Sequence, residues 1–283
     1  MASETSTCKR RKGISPWKPN QHGAWAMLIT PAVVGAIACI ILAVRSGMNP
    51  TVTLVQLVFI LIAWFFGYFT FFAFGMVAKA RTSERRKQYI TPVFVYGAVS
   101  LAALVPILLF QPLLIYWGIV FAPLIAIAVV ETLRGRPRST LSGVSTTIAS
   151  ALLVSVLAHL GAAAGFGEPW EIWAGTIVLA LFFSGSVTYV KSMIRERKNP
   201  RYLCGSIVYH AVALVVTIGV VSVTSPGWLA RVLLVAGMAW ALVRSWYYPR
   251  QQQDGRKFTP KQVGLKENPP LLLVAFGALF ACL

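Results

Sequence analysis

Long apolar stretches alternate with short basic ones along the whole chain. Eight of them have the roughly 20 apolar residues that a helix needs to cross the hydrocarbon core of a bilayer. They lie near residues 25–45, 53–78, 91–110, 113–132, 142–164, 172–193, 204–224 and 228–247. A ninth segment, 271–283, is shorter, and a short helix, a re-entrant segment and a span that ends within the bilayer are its alternatives. The pattern predicts an all-α polytopic membrane helix bundle.

Composition and charge place the chain in a membrane and orient it there. The sequence is 57% hydrophobic and only 12% charged, with a net charge of +18. All lysines and arginines except Arg45 and Arg231 lie on one side of the spans, including Arg244 at the end of the eighth span and Lys266 after it. The positive-inside rule makes that side cytoplasmic, together with the amino terminus. We therefore expect a plasma-membrane protein that contacts the bilayer and its anionic lipid head groups, and no nucleic-acid partner.

The same pattern divides the chain into segments. We predict a basic cytoplasmic arm, a transmembrane domain, a basic cytoplasmic loop and a short hydrophobic terminal segment. Their bounds are 1–24, 25–247, 248–270 and 271–283. The first apolar run shows no small-residue cleavage site and is interpreted as a retained span. The four cysteines have no C-x-x-C spacing, so the sequence suggests neither a disulfide framework nor a zinc site.

An internal repeat relates two of the basic loops. Residues 71–99 and 182–212 share a phenylalanine pair, a lysine five residues before a glutamate, further basic residues and a V-Y-x-A-V run. The matching residues are Lys79 and Glu84 in the first segment, and Lys191 and Glu196 in the second. Any two basic loops resemble each other, but this shared spacing goes beyond basic character. We predict a parallel 4+4 repeat, with halves of about 25–132 and 142–247 and a site where the halves meet.

Polar side chains form stripes on the sixth and seventh spans at helical spacing. If the stripes face each other, they line a cleft that opens to the cytoplasm. Ordinary helix packing is the alternative. Hydroxyl side chains also form contacts between membrane helices, and lysines near the ends of spans extend to the membrane–water interface. The candidate ligand-binding residues are His22, Lys79, Glu84, Arg85, Thr188, Lys191, Ser192, Arg195, Glu196, Tyr209 and His210.

Carboxylates are scarce, which bears on metal chemistry. The chain has one aspartate, Asp254, and seven glutamates, whereas magnesium on a diphosphate usually needs protein carboxylates. We therefore predict no metal site and no cofactor. The basic residues suit phosphate oxygens instead. No nucleotide-binding or hydrolase motif of the soluble type occurs.

Three segments carry a family resemblance. PNQHGAWAML at 19–28 with the following Pro31, SGSVTYVKSMIRERKN at 184–199, and the pair Tyr209-His210 resemble the YwiC-like family of bacterial multi-pass membrane proteins. The similarity extends to about residue 248. It implies an inner-membrane protein and no particular reaction.

The architecture is also similar, more distantly, to the UbiA superfamily of intramembrane prenyltransferases. In that superfamily, aspartate-rich loops after spans two and six hold magnesium and a prenyl diphosphate. The matching loops here read KARTSERRK and KSMIRERKN, with glutamate and basic residues in place of the aspartates. A degenerate or divergent transferase, which would need magnesium, is therefore one alternative, and a small-solute transporter is another.

Our leading hypothesis is a protein that binds an anionic, lipid-like ligand in a cytoplasm-facing cleft between the two halves. An isoprenoid or a phosphorylated lipid is the expected type of ligand. Whether the protein is an enzyme, and its oligomeric state, are left open by the sequence.

Overall fold

The computed structural model describes residues 15–19, 22–163 and 169–283, and within these ranges the regular structure is helical. The side chain of His22 and most of the predicted arm 1–24 lie outside the described residues. The helices are α1 His22–Arg45, α2 Pro50–Ala78, α3 Ser83–Phe110, a 3-10 turn Pro112–Leu114, α4 Ile115–Leu133, α5 Thr140–Ala162, α6 Trp170–Ile194, α7 Pro200–Thr224, α8 Trp228–Gln253, α9 Pro260–Leu265 and α10 Asn268–Cys282.

The predicted membrane helix bundle is confirmed. In the described part of the chain, nine segments are long and apolar enough to span a membrane, and the ninth joins α9 and α10 over Pro260–Cys282. The last apolar segment is thus a helix. Arg45, at the end of α1, donates from Nη1 to the carbonyl oxygen of Leu283, so α10 reaches the same end of the bundle as the end of α1. The end at which α2, α4, α6 and α8 finish is called the basic end below.

Polar caps fix where the helices begin at the basic end. The side chains of Thr82, Ser139 and Asn199 accept hydrogen bonds from the first-turn amides of α3, α5 and α7. Each cap satisfies a backbone donor that has no partner within its own helix. The three connections at this end are therefore held in defined positions.

Helix α5 lies at the centre of the bundle, between α1, α4 and α6. Helix α10 packs between α6 and α8 and also contacts α1. Two glycines allow neighbouring helices to pack closely. A Cβ on Gly161 of α5 would lie 2.2 Å from the carbonyl oxygen of Cys39 on α1. A Cβ on Gly175 of α6 would lie 2.8 Å from Cα of Ala278 on α10. The hairpins α2–α3 and α6–α7 each pack pairwise, and the 4+4 repeat stays a prediction. Helix α7 packs along α8, whereas α4 packs along α5.

A series of polar contacts joins α5 to α6 from one end to the other. The three contacts are Lys191 Nζ to Thr140 Oγ1 at 2.8 Å, Thr147 Oγ1 to Ser184 Oγ at 3.3 Å, and Ser155 Oγ to Thr176 Oγ1 at 2.7 Å. Hydroxyl contacts of this kind contribute about 0.6 kcal/mol each between membrane helices. The contacts fix the antiparallel register of α5 and α6, and thereby the position of Lys191.

Candidate functional site

An open depression of about 520 Å³ lies at the basic end, between the end of α2 and the connection from α4 to α5. It is lined by Lys79, Gly135, Arg136, Pro137, Arg138 and Ser139. Lys79 directly follows α2 as its C-cap residue. The depression therefore brings the predicted candidate Lys79 together with a connection that the sequence did not single out as a site.

The α4–α5 connection is shaped by a glycine and a buried carboxylate. Gly135 has φ +74°, a conformation that favours glycine, and it reverses the chain after α4. The carboxylate of Glu131 is buried and lies 3.7 Å from Arg134 and 3.9 Å from Arg136. Within the described ranges, Lys79 and Arg138 have no carboxylate at ion-pair distance. The depression therefore carries positive charge that the neighbouring residues do not balance.

The electrostatics of Lys79 reflect this excess. Partial burial of its ammonium group, and secondarily the guanidinium of Arg138, lower the pKa of Lys79 below the ordinary lysine value. Both effects disfavour the charged amine, and an anion placed between the two side chains would offset them. The arrangement is thus suited to receive negative charge.

The second repeated lysine also borders the α4–α5 connection. Lys191, from α6, donates to the hydroxyl of Thr140, the residue that follows Ser139 of the depression. The hydroxyl of Thr140 also lies 3.3 Å from the hydroxyl of Tyr202, on α7. The structure therefore places both repeated lysines against one connection, Lys79 from α2 and Lys191 from α6.

The predicted polar stripes of α6 and α7 do face each other, but they are in direct contact. Ser206 donates to Thr188 at 3.3 Å, Tyr209 donates to the carbonyl oxygen of Leu181 at 3.1 Å, and Ser192 donates to its own helix. Nδ1 of His210 lies 2.7 Å from the carbonyl oxygen of Ser206, and the residue is only 1% exposed. These candidates take part in or lie beside the packing of α6 against α7, where Thr188 and Tyr209 are half-buried, and they do not line the depression.

The remaining candidates lie on the surface of the basic end. Glu84 and Arg85 are exposed in the first turn of α3, and Arg195 is the exposed C-cap of α6. The carboxylate of Glu196 accepts a hydrogen bond from Asn199, which closes the turn between α6 and α7. None of these four residues lines the depression.

The second half of α2 presents partly exposed aromatic side chains, called the aromatic wall below. From residue 63 to 77 every residue is half-buried except Ala73, which is fully buried. This stretch contains most of the aromatic residues of α2, and Phe69 packs 5.4 Å from Tyr96 of α3 between ring centroids. Lys79, which lines the depression, follows this stretch two residues further along the chain. The run WFFGYFTFFAFG was the signal in the sequence for this feature.

One basic residue of the eighth span is buried. The sequence pattern groups Arg244 with the cytoplasmic basic residues, and its side chain is 0% exposed inside the bundle. Its partner is Glu267, at 2.7 Å, in the segment predicted to be a basic loop. The segment 248–270 also contains the end of α8 and all of α9.

This fold and its basic end define a polytopic α-helical membrane protein with an open cationic depression. Comparison with known proteins then identifies the relatives. The family described as YwiC-like protein matches residues 19–158. An uncharacterized protein of Haemophilus influenzae is 28% identical over 251 residues, covering 88% of this chain and 91% of the relative. The uncharacterized protein YwiC of Bacillus subtilis is 28% identical over 257 residues, with the same two shares.

These matches confirm the resemblance to the YwiC-like family that the sequence motifs predicted. No solved structure matches the chain.

Proposed function

We propose that this protein binds the phosphate-bearing head group of an anionic lipid-like molecule in the depression at its basic end. The observation that carries the proposal is the convergence of Lys79, Arg136 and Arg138 on one open depression. A volume of about 520 Å³ is in the range of small-molecule sites, which is about 300–1,000 Å³.

The chemistry of the lining selects the charge of the ligand. Arginine presents a planar set of donors that matches two phosphate oxygens, and lysine adds a compact charge. The carboxylate of Glu131 already neutralises part of the charge of Arg136. The positive charges of Arg138 and Lys79 are therefore the ones available to a ligand. A phosphate monoester or diester between them would gain charge-assisted hydrogen bonds to both.

The aromatic wall supports a ligand with a hydrocarbon chain. Half-buried residues from 63 to 77 provide an apolar surface that continues from Lys79 into the membrane-spanning part of α2. An isoprenoid or acyl chain lying along this surface would bury apolar area that the protein alone leaves partly exposed. The head group would then sit at the level of Lys79.

The basic end is proposed to face the cytoplasm of a bacterial cell. The positive-inside rule supports this orientation, because the depression lies among the basic connections of the chain. The amino terminus would lie on the same side, in the plasma membrane.

Native mass spectrometry of the purified protein tests the proposal. The double variant Lys79→Gln/Arg138→Gln should lose an anionic lipid that the unaltered protein retains from its expression host. Arg86→Gln is the matched control, because Arg86 is exposed on α3 and does not line the depression. Equal lipid retention in the double variant and the control would refute the proposal.

A small-solute transporter is a second candidate, favoured by polar side chains in the half away from the basic end. Ser155 and Thr176 bond to each other there, and His159 is buried one turn further along α5. Uptake of labelled inorganic phosphate into proteoliposomes, dependent on Ser155, would favour transport over simple binding. Uptake no faster than into protein-free liposomes would count against it.

A further inference from the structure

Arg244 is buried in a layer formed by α6, α8 and α10. The carbon of its guanidinium lies 4.3 Å from the ring centroid of Tyr189 and 5.6 Å from that of Phe182. Nη1 lies 2.7 Å from Oε1 of Glu267, at the start of α10. A fully buried arginine in a membrane helix is costly, so its surroundings are a place to look for function.

One edge of this guanidinium is free. Nε and Nη2 of Arg244 have no hydrogen-bond partner among the described residues, and neither has the buried hydroxyl of Tyr189. Two neighbouring nitrogens of a guanidinium match two oxygens of a carboxylate or a phosphate. The tyrosine hydroxyl, on the ring that Arg244 contacts, adds a third donor. Donors therefore outnumber the acceptors that the protein supplies here.

The side chains of this layer carry a net positive charge. Lys266 is adjacent to Glu267, and its Nζ lies 3.8 Å from the ring centroid of Tyr248 and 5.5 Å from that of Phe258. Arg244 and Lys266 together carry two positive charges, against the one negative charge of Glu267. A bound monoanion would balance the three residues.

Helix α9 covers this layer at the basic end. Val263 of α9 is 1% exposed and packs with Tyr189 and Met193 of α6. The helix is held at its start by a capping box between Thr259 and Gln262. The side chain of Glu267 is still 13% exposed, so the layer reaches the surface next to Lys266.

We propose that Arg244 and Tyr189 form an internal binding site for an oxyanion, a carboxylate or a phosphate monoanion, with Lys266 at its mouth and α9 as its cover. The free Nε and Nη2 edge of Arg244 holds two oxygens of the anion, and the hydroxyl of Tyr189 donates to one of them. The site lies on the α8 side of α6 and is separate from the depression at Lys79. It does not depend on the proposed lipid site.

Equilibrium dialysis with labelled inorganic phosphate tests this assignment. The protein is used in the Lys79→Gln/Arg138→Gln background, so that the depression does not contribute. One equivalent of phosphate per chain should bind, and acetate should compete if carboxylates are accepted as well. Tyr189→Phe keeps the ring against Arg244 and removes only the hydroxyl, so it should weaken binding by about tenfold. Lys266→Gln should weaken it in the same direction.

Two results would overturn the assignment. One is the absence of saturable binding of both phosphate and acetate in the double-variant background. The other is binding that is unchanged by Tyr189→Phe and by Arg244→Lys, with each variant shown by gel filtration and circular dichroism to be folded. Either result would leave the Arg244–Glu267 pair as a purely structural link between α8 and α10.

Discussion

The ion pair between Arg244 and Glu267 gives the sharpest prediction of stability. Glu267→Gln keeps the shape of the side chain but leaves the buried guanidinium without a counter-charge. Removing one partner of a buried ion pair costs about 3–5 kcal/mol. The side chains of Arg244 and Glu267 are 0% and 13% exposed, so water screens the pair only slightly. The ring of Tyr189 still stabilises the cation, and we therefore expect a loss near the lower limit, about 3 kcal/mol.

The assay is reversible unfolding in mixed micelles of dodecylmaltoside and dodecyl sulfate, followed by circular dichroism in phosphate-free buffer. Glu84→Gln, an exposed carboxylate in the first turn of α3, is the control and should change the free energy of unfolding by less than about 1 kcal/mol. The double variant Arg244→Met/Glu267→Gln removes both charges and should recover most of the loss. A Glu267→Gln protein within 1 kcal/mol of the unaltered protein would show that the pair is hydrated and that the burial argument is wrong.

Three further predictions concern packing, pH and metal. Gly161→Ala should separate α1 from α5 and lower the melting temperature markedly, because its Cβ would lie 2.2 Å from a backbone oxygen. The control is Gly219→Ala, whose Cβ would have no atom within 4 Å. This control should leave the melting temperature unchanged or raise it. Binding of an anionic lipid should weaken as the pH rises, because Lys79 loses its positive charge. Since the pKa of Lys79 is lowered, this weakening should begin below the usual lysine pKa of about 10.4. Arg138→Gln should move that midpoint upward by removing a repelling charge, and an unmoved midpoint in a lipid titration would contradict the assignment. Chelation of divalent metals should leave lipid retention unchanged, since cationic side chains line the depression; loss of the lipid on chelation would favour the prenyltransferase alternative.

The spans were predictable because bilayer thickness sets the length of an apolar helix. All eight long spans correspond to the helices observed, from α1 to α8, although α3 begins eight residues before the predicted span and α8 ends six residues after it. The terminal segment 271–283 was ambiguous because its helix begins earlier, at Asn268, with two prolines in its first turn, and follows the short helix α9 after a break at Lys266 and Glu267. Composition alone does not show that this helix packs between α6 and α8.

The candidate site was predictable only in part. The repeat identified Lys79 and Lys191, since a shared spacing is visible in the sequence. The α4–α5 connection, which carries Arg138, lies beside both lysines only because α2 and α6 end next to it. That placement is a property of tertiary packing. The burial of Arg244 was not predictable, because a basic residue near the end of a span gives the same pattern whether its side chain reaches the interface or turns inward. Only the folded chain brings Glu267 to it.

The proposed lipid site is tested most directly by a cryo-electron microscopy map of the protein in nanodiscs that contain anionic phospholipid. We expect phosphate density between Nζ of Lys79 and the guanidinium of Arg138, with a hydrocarbon chain along the aromatic wall of α2. A map with well-resolved side chains and ordered lipids elsewhere, but none in the depression, would contradict it.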